Sequence, residues 1–280
     1  MPKTVARALL TDFLKSRRAR ISPPDVGLPD ESPRRRTRGL RRSEVALLAR
    51  ISTEWYTLFE MGRERAMTLR VIGPVARALR LNDVERDYLY DLVRAEEPPA
   101  RVCPRLHPSI DFALRHVREA SIIVYDPWLT RTHWNDVAAA LFPPEVGNDW
   151  LRANVLVRMF TLPQFRTLAE NWEELNQWNL GLFRRALARD PLNPEAREIL
   201  NALSGISDFN RLWSKQDVYS IERFSVDNVD APFRLHHERY GELTMHMIIY
   251  EIPGWRGAHV RYVTPADEAS ADVFRAATKV

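Results

Sequence analysis

The densest chemical signal in the sequence is a run of arginines close to its beginning. Residues 34–42 hold six arginines in nine positions. Six like charges repel one another unless the segment is a solvated loop or a partner neutralises them, and phosphate groups would do so. Residues 1–70 carry sixteen Lys and Arg against eight Asp and Glu, whereas residues 71–280 carry 25 against 29. A basic excess at one end favours a polyanionic partner there, although a solvated basic tail would have the same composition.

Residue patterns typical of catalysis or metal binding are missing from the sequence. It contains no Gly-rich phosphate loop, no HExxH or CxxC pair and no nucleophile elbow. His236 and His237 are adjacent, so in a strand they would point to opposite faces and would not readily share one metal ion. We therefore expect neither an enzyme nor a metal site, and no obligatory cofactor. A catalytic pocket in the second half of the chain is kept as the less favoured alternative.

Length and composition are those of a globular chain with more than one domain. The chain has 280 residues, of which 45% are hydrophobic and 28% charged, so it is long for a single core and ordinary for a soluble protein. No apolar run reaches the roughly 20 residues needed to span a bilayer, and the N-terminus lacks the pattern of a secretory signal. Cys103 is the only cysteine, so no disulfide can form within the chain. These features predict a cytoplasmic protein that does not bind membranes.

Hydrophobic periodicity predicts helices throughout the first hundred residues. Helices are expected at 4–18, 69–81 and 83–95. Two short apolar stripes lie between the first and second of these, within residues 43–60, and Ser52 is placed to cap the second stripe as a helix. Two helices joined by a turn of three or four residues have the geometry that lays the second helix into the DNA major groove. We therefore predict a five-helix domain over residues 1–97.

A second domain is predicted over residues 98–280, after a short stiff linker that is rich in proline. Strands are expected at 121–125, 129–135, 218–225, 233–237, 243–251 and 259–263. Helices are expected at 110–120, 136–142, 149–160, 163–189, 194–203 and 209–213. Strands at both ends with helices between them predict an α+β domain with one antiparallel sheet.

Tryptophan is concentrated in the middle of this second domain. Six of the eight tryptophans of the chain fall between residues 128 and 213. One interpretation is ordinary core packing. The other is an apolar cavity walled by aromatic side chains, with few polar groups to orient a ligand.

Four segments of the sequence carry a family resemblance. They are residues 39–46 (GLRRSEVA), 52–57 (STEWYT), 60–63 (EMGR) and 74–81 (PVARALRL). In them the chain resembles the MmyB-like transcription regulators, which have a repressor-type (XRE) helix-turn-helix, and the resemblance continues into the second domain. It implies a sequence-specific regulator of transcription that binds double-stranded DNA and whose PAS-like second domain senses a small apolar ligand. We expect a homodimer, because single helix-turn-helix units rarely hold specific DNA alone.

By this resemblance the helix at 53–60 is the recognition helix. The residues implied in DNA binding are Thr53, Glu54, Trp55 and Leu58, which would face the groove, and Arg38, Arg41, Arg42 and Arg50, which are placed for phosphate contacts. Tyr56 and Phe59 would pack inward. The chain departs from the family at three positions.

These departures concern Arg50, Leu58 and Met61. Arg50 stands where the family's turn normally has glycine, which predicts a strained left-handed backbone or an added phosphate contact. Leu58 stands where the family usually has arginine, and Met61 where glutamine is common. We therefore expect phosphate contacts to carry more of the affinity, and direct base readout less.

The resemblance also implies a fatty-acid ligand in the second domain. The residues implied in its binding are Trp134, Asn135, Asn154, Arg158, Met159, Phe160 and Trp213. Arg158, which lies four residues after Asn154 where the family spacing is three, would pair with the ligand carboxylate. A bound long-chain fatty acid is thus the one small molecule expected to accompany the protein. A ligand-free dimerisation domain is the alternative interpretation.

Overall fold

A computed structural model describes residues 2–29, 39–63, 69–94, 106–143, 150–221 and 232–277. The chain divides into two compact units. The first combines Met1–Pro99 with Leu187–Asn193, and the second combines Ala100–Ala186 with Pro194–Val280. Arg38, the arginines at 34–36 and most of the predicted linker lie outside the described residues.

Helices build the first unit, because apolar residues recur along one side of each segment. They are α1 (Pro2–Arg20), α2 (Arg42–Ala49), α3 (Thr53–Glu60), α4 (Leu69–Ala78) and α5 (Asp83–Arg94). The core includes the ring of Phe13, which meets the ring of Tyr88 edge-on at 4.9 Å between centroids. Each of the five expected helices is present. α4 ends earlier than predicted, because Arg80 adopts a φ of +46°, which no right-handed helix accommodates.

The second unit is built on a sheet of five strands. They are β1 (Ser121–Tyr125), β2 (Arg131–Trp134), β3 (Phe233–His237), β4 (Gly241–Glu251) and β5 (His259–Pro265). The strands lie in the order β2-β1-β5-β4-β3, and each neighbouring pair is antiparallel. The helices of this region are α6 (Pro108–His116), α7 (Asp136–Leu141), α8 (Val155–Thr161), α9 (Pro163–Arg166), α10 (Trp172–Arg189), α11 (Pro194–Leu203), α12 (Ser207–Trp213) and α13 (Glu268–Ala277). The expected α+β class is confirmed.

The first strand is buried on both sides and so separates two cores. Alternate side chains of a strand point to opposite faces, so Ile123 and Tyr125 share one face of the sheet. There they pack with Ala138 of α7. His259 and Arg261 on β5 are the register partners of Tyr125 and Ile123, and they lie on the same face. This face, which carries His259 and Arg261, is called the inner face below.

Two predicted helices are interrupted in the structure. The helix expected at 149–160 begins as a short 3-10 segment, and α8 starts only after Asn154, whose backbone is extended. The helix expected at 163–189 is divided into α9 and α10, because Ala169 forms a β-bridge with Leu235. Both interruptions arise from contacts between distant parts of the chain, which local periodicity does not report.

Two further differences concern the C-terminal part of the chain. The strand expected at 218–225 is wrong in its described part, because residues 218–220 form no strand; residues 222–225 lie outside the described residues. Helix α13 was not predicted, yet its Phe274 is buried in a core with Leu243 and Met245 of β4. The helix therefore covers apolar side chains of the sheet.

Candidate functional site

The turn between α2 and α3 has two specialised residues. α2 ends at Arg50, whose φ of +55° and ψ of +44° lie in the left-handed region. The hydroxyl of Ser52 accepts a hydrogen bond from the amide of Trp55 at 3.0 Å and so caps α3. The cap predicted for Ser52 and the left-handed backbone predicted for residue 50 are both confirmed.

One side of α3 is buried and the other is exposed. Tyr56 and Phe59 are completely buried, as expected for the inward side. At 100° per residue, Thr53, Glu54 and Leu58 fall within an arc of about 140° on the opposite side. Thr53 and Glu54 are exposed, and Leu58 is 36% exposed. Three of the four residues expected to face base edges therefore lie on one solvent-facing surface, called the α3 face below.

Trp55, the fourth of these residues, lies at the margin of the α3 face. It is half-buried, and its ring stacks on that of Phe59 with 5.3 Å between centroids and 22° between planes. Part of the indole therefore packs against the core of the first unit. The remainder is open to solvent beside Leu58.

A buried carboxylate at the end of α3 joins three helices. Glu60 is completely buried and accepts a hydrogen bond from the Nε of Arg18 on α1 at 2.8 Å. Its second oxygen accepts from the Nε of Arg42 on α2. Burial and the Glu60 carboxylate raise the pKa of the nearby Tyr56 phenol. The buried role of Glu60 was not predicted, although its position four residues after the inward-facing Tyr56 places it on the buried side.

The arginines expected to contact phosphate differ in their surroundings. Arg41 and Arg50 are exposed, one just before α2 and the other just after it. Arg42 is partly exposed, with its guanidinium held by Glu60. Its remaining N–H groups therefore have a fixed direction, because one edge of the planar group is already bound.

In the second unit, the side chains of Asn135 and Asn154 are hydrogen-bonded to backbone groups from several elements. The Asn135 side chain accepts hydrogen bonds from the amides of Ile122 and Ala138 and donates two to backbone carbonyls. The Asn154 side chain accepts from two amides at the start of α8 and donates to the carbonyl of Trp128 and the hydroxyl of Thr130. In each amide group both the oxygen and the nitrogen are bound twice within the protein. Both asparagines thus cap helices, α7 and α8, and their ligand contact stays a prediction.

Aromatic side chains from α8, α10 and α12 pack around Phe160. Its ring meets those of Trp172 and Phe209 edge-on, at 5.3 and 5.7 Å. Trp213 stacks on Phe209 at 5.7 Å. Phe160 and Trp213, both expected to contact a ligand, are thereby brought to one aromatic cluster. Met159 adjoins it, since its carbonyl accepts a hydrogen bond from the indole of Trp172.

Arg158 and Trp134 have other surroundings. Arg158 is buried, donates to the carbonyl of Pro143 at 3.1 Å and packs over the ring of Phe165. Trp134 is 37% exposed and lies beneath the guanidinium of Arg131. It lines a surface depression of about 510 Å³ together with residues of α6 and β2, and none of the other expected ligand residues lines that depression.

An arginine that the sequence analysis passed over is buried on the inner face. Arg261 donates from Nε to the Nε2 of His259 at 3.1 Å, and from Nη2 to the side-chain oxygen of Asn179 at 2.7 Å. Its guanidinium carbon lies 4.4 Å from the centroid of the Tyr125 ring and 5.2 Å from that of Trp178. The alternation of β5 predicts a shared face for His259 and Arg261. No local pattern indicates that α10 covers that face.

Comparison with known proteins identifies the class. Residues 106–277 match the family model of the MmyB-like transcription regulator ligand binding domain, and the matched segment is more than half of the chain. The molecule is therefore a transcription regulator with a ligand-binding C-terminal domain. It belongs to the MmyB-like family, as the sequence resemblance predicted. No curated protein matches the chain. Among the described residues, no helix has both the length and the apolar character needed to cross a membrane.

Proposed function

We propose that the first unit binds double-stranded DNA by placing the α3 face in the major groove. The observation that carries this proposal is the division of α3, in which Tyr56 and Phe59 are buried while Thr53, Glu54 and Leu58 are open to solvent. A short turn to α2 and a helix with one free side are what major-groove docking requires. A homodimer on a near-palindromic operator would supply two such helices.

Arginines at both ends of α2 would hold the phosphates. Arg41 and Arg50 are exposed, and Arg42 is oriented by Glu60. Arg38 belongs to the same basic segment, outside the described residues. Because the α3 face has no arginine or lysine of its own between Thr53 and Met61, phosphate contacts would carry a large share of the affinity.

The experiment is a salt titration of operator binding by the Arg41→Ala, Arg42→Ala double variant. Each lost phosphate contact is expected to reduce the slope of log K against log salt by about 0.9. Arg86→Ala is the matched control, because Arg86 on α5 is an equally exposed arginine that pairs with Asp83. Circular dichroism checks that the double variant is folded. An unchanged slope would show that these arginines do not contact phosphate.

We also propose that the second unit is a PAS-like sensor of a long-chain fatty acid. The antiparallel sheet with α7–α12 between β2 and β3 is compatible with that fold. The aromatic cluster of Phe160 and Trp213 offers apolar cover for an alkyl chain. Each buried CH₂ group contributes about 0.8 kcal/mol, so about a dozen outweigh the cost of immobilising the chain.

Native mass spectrometry of the full chain tests this part. The protein is expected to retain a lipid from expression or to take up added C12–C18 acids. If neither is observed, the second unit is not a fatty-acid sensor, and a ligand-free dimerisation domain becomes the better interpretation. Ligand binding would act by shifting the population of dimer arrangements that present the two α3 faces.

A further inference from the structure

Arg261 is a buried cation with no carboxylate partner in the part of the chain that the structure describes. It is 6% exposed, and no carboxylate of the described residues lies within 4.0 Å of its guanidinium. By contrast, the buried Arg17 of the first unit pairs with Glu85. Removing a charge from water is costly unless a partner compensates it. The acceptors of Arg261 are an imidazole nitrogen and an amide oxygen, and neither carries a net negative charge.

His259 does not provide the missing charge. Its Nε2 accepts from Arg261, and its Nδ1 lies 3.3 Å from the carbonyl of Gly257, so the ring is the neutral tautomer with the proton on Nδ1. Burial and the adjacent Arg261 hold the pKa of His259 well below its usual range. The register partners of Arg261 on the neighbouring strands are Ile123 and Ile249, both apolar and buried. The cluster thus has a net positive charge in apolar surroundings.

Two amide groups of α10, one of them the Asn179 side chain that contacts Arg261, are incompletely bound. The side-chain nitrogen of Asn179 and the side-chain oxygen of Asn176 are buried and have no hydrogen-bond partner among the described residues. The two residues are three apart and so lie on one side of the helix, together with Trp172 and Phe183. A buried polar atom without a partner is uncommon and points to a missing water or ligand group. Here an unused donor lies beside an uncompensated cation.

We propose that Arg261 and Asn179 bind the carboxylate of the ligand on the inner face of the sheet. The inference rests on the proposed sensing of a fatty acid and names the group that recognises its charged end. One carboxylate oxygen would accept from the guanidinium and the other from the free amide N–H of Asn179, with Tyr125 and Trp178 as aromatic walls. A single negative charge matches the single cation, whereas a phosphate dianion would leave one charge unpaired.

This assignment replaces Arg158 as the carboxylate partner. Arg158 already donates to the carbonyl of Pro143 and packs over Phe165, which explains its burial without a ligand. Arg261 differs in that one of its acceptors, the Asn179 side chain, has a buried nitrogen with no hydrogen-bond partner among the described residues. The stripe of α10 from Trp172 to Phe183 would then lead from the carboxylate towards the aromatic cluster, because Asn179 lies between these two residues on the same side of the helix.

The test compares dodecanoate with dodecanol by isothermal titration calorimetry of the full chain. The wild type is expected to bind dodecanoate more tightly than dodecanol. Arg261→Met removes the charge but keeps an apolar chain of similar length, and it is expected to weaken dodecanoate by about tenfold to a hundredfold, the range for a charge-assisted hydrogen bond. Dodecanol affinity should stay within about threefold. Arg158→Met tests the rival assignment, and under the Arg261 site it is expected to change dodecanoate affinity by less than about threefold.

A second variant provides an internal counterion. Asn179→Asp places a carboxylate where the amide oxygen now lies, 2.7 Å from Nη2 of Arg261. It is expected to raise the melting temperature and to lower the affinity for dodecanoate by at least about tenfold, because the Asp carboxylate pairs with the Arg261 guanidinium in place of the ligand. This result supports the assignment even if Arg261→Met fails to fold.

The outcomes separate the two proposals. If the wild type binds neither probe, fatty-acid sensing itself is wrong, and the carboxylate site with it. If the wild type binds dodecanoate but Arg261→Met or Asn179→Asp binds it equally well, the sensing function stands and the Arg261 site is overturned. Loss of dodecanoate binding in Arg158→Met, with Arg261→Met unaffected, would return the role to Arg158.

Discussion

Asp126, a buried carboxylate at the end of β1, has a raised pKa, so its contribution to stability depends on pH. One oxygen of Asp126 accepts hydrogen bonds from the amides of Trp128 and Thr130, at 2.9 and 2.8 Å, and so fixes the turn to β2. Burial raises the pKa of Asp126 to about 7, even though these hydrogen bonds oppose the shift. Between about pH 4 and pH 7 the folded state therefore keeps a proton that the unfolded state has lost. The contribution of Asp126 to stability therefore falls as pH rises through this window and is lowest above it.

Asp126→Asn should remove this dependence. The amide oxygen retains both accepted hydrogen bonds, while the side chain no longer ionises. Each pH unit in the window corresponds to about 1.4 kcal/mol, so the advantage of the variant should grow by about 2 kcal/mol between pH 5.5 and pH 8. Urea unfolding at both pH values measures it. Asp136→Asn, at an exposed carboxylate of the same unit, is the control; a constant difference for Asp126→Asn would refute the buried titration.

Local sequence determines the bounds of some helices and strands but not of others. The bounds of α3, β1 and β3 agree with the predicted ranges, because caps and periodicity are encoded within each segment. The break at Asn154 depends on the carbonyl of Trp128, and the break at Ala169 depends on Leu235 of β3. These partners are far away in sequence, so no local pattern reveals them.

The residues of the candidate sites differ in the same way: some were predictable from local sequence, and others depend on distant parts of the chain. The α3 face was predictable, because helical periodicity separates Tyr56 and Phe59 from the exposed positions. The role of Glu60 depends on α1 and α2, and that of Arg261 depends on α10; both require the tertiary arrangement. The resemblance associates Asn135 and Asn154 with a ligand, and their hydrogen bonds give them a further role as the caps of α7 and α8.

Replacing Arg50, in the turn between α2 and α3, by glycine should have opposite effects on stability and on operator binding. Arg50 holds a left-handed conformation that costs a non-glycine residue about 1 kcal/mol. Arg50→Gly should therefore raise the free energy of unfolding of the first unit by about that amount, while weakening operator binding if the guanidinium contacts phosphate. Arg50→Ala is the matched control, because it loses the guanidinium but keeps the strained φ. Equal stabilities of the two variants would mean that the strain is not significant.

In a regulator that senses a ligand, ligand binding and operator binding must be coupled equilibria. If dodecanoate changes operator affinity by some factor, the operator must change dodecanoate affinity by the same factor. We expect a reciprocal change of about fivefold or more, measured by two titrations, each with and without saturating amounts of the other ligand. Binding of dodecanoate with no effect on operator affinity would show that the lipid is a structural component and not a signal.

The two edge strands of the sheet, β2 and β3, differ in whether a strand of another chain can pair with them. Along β3, the segment before α10 already occupies the outer backbone groups, since the amide of Glu170 bonds the carbonyl of Arg234 and the amide of His236 bonds the carbonyl of Leu168. A second copy therefore cannot extend the sheet on that side without displacing this segment. On the opposite side, β2 pairs only with β1 among the strands of the described residues. Among the described residues, continuous sheet formation across a dimer axis is thus open at β2 and blocked at β3.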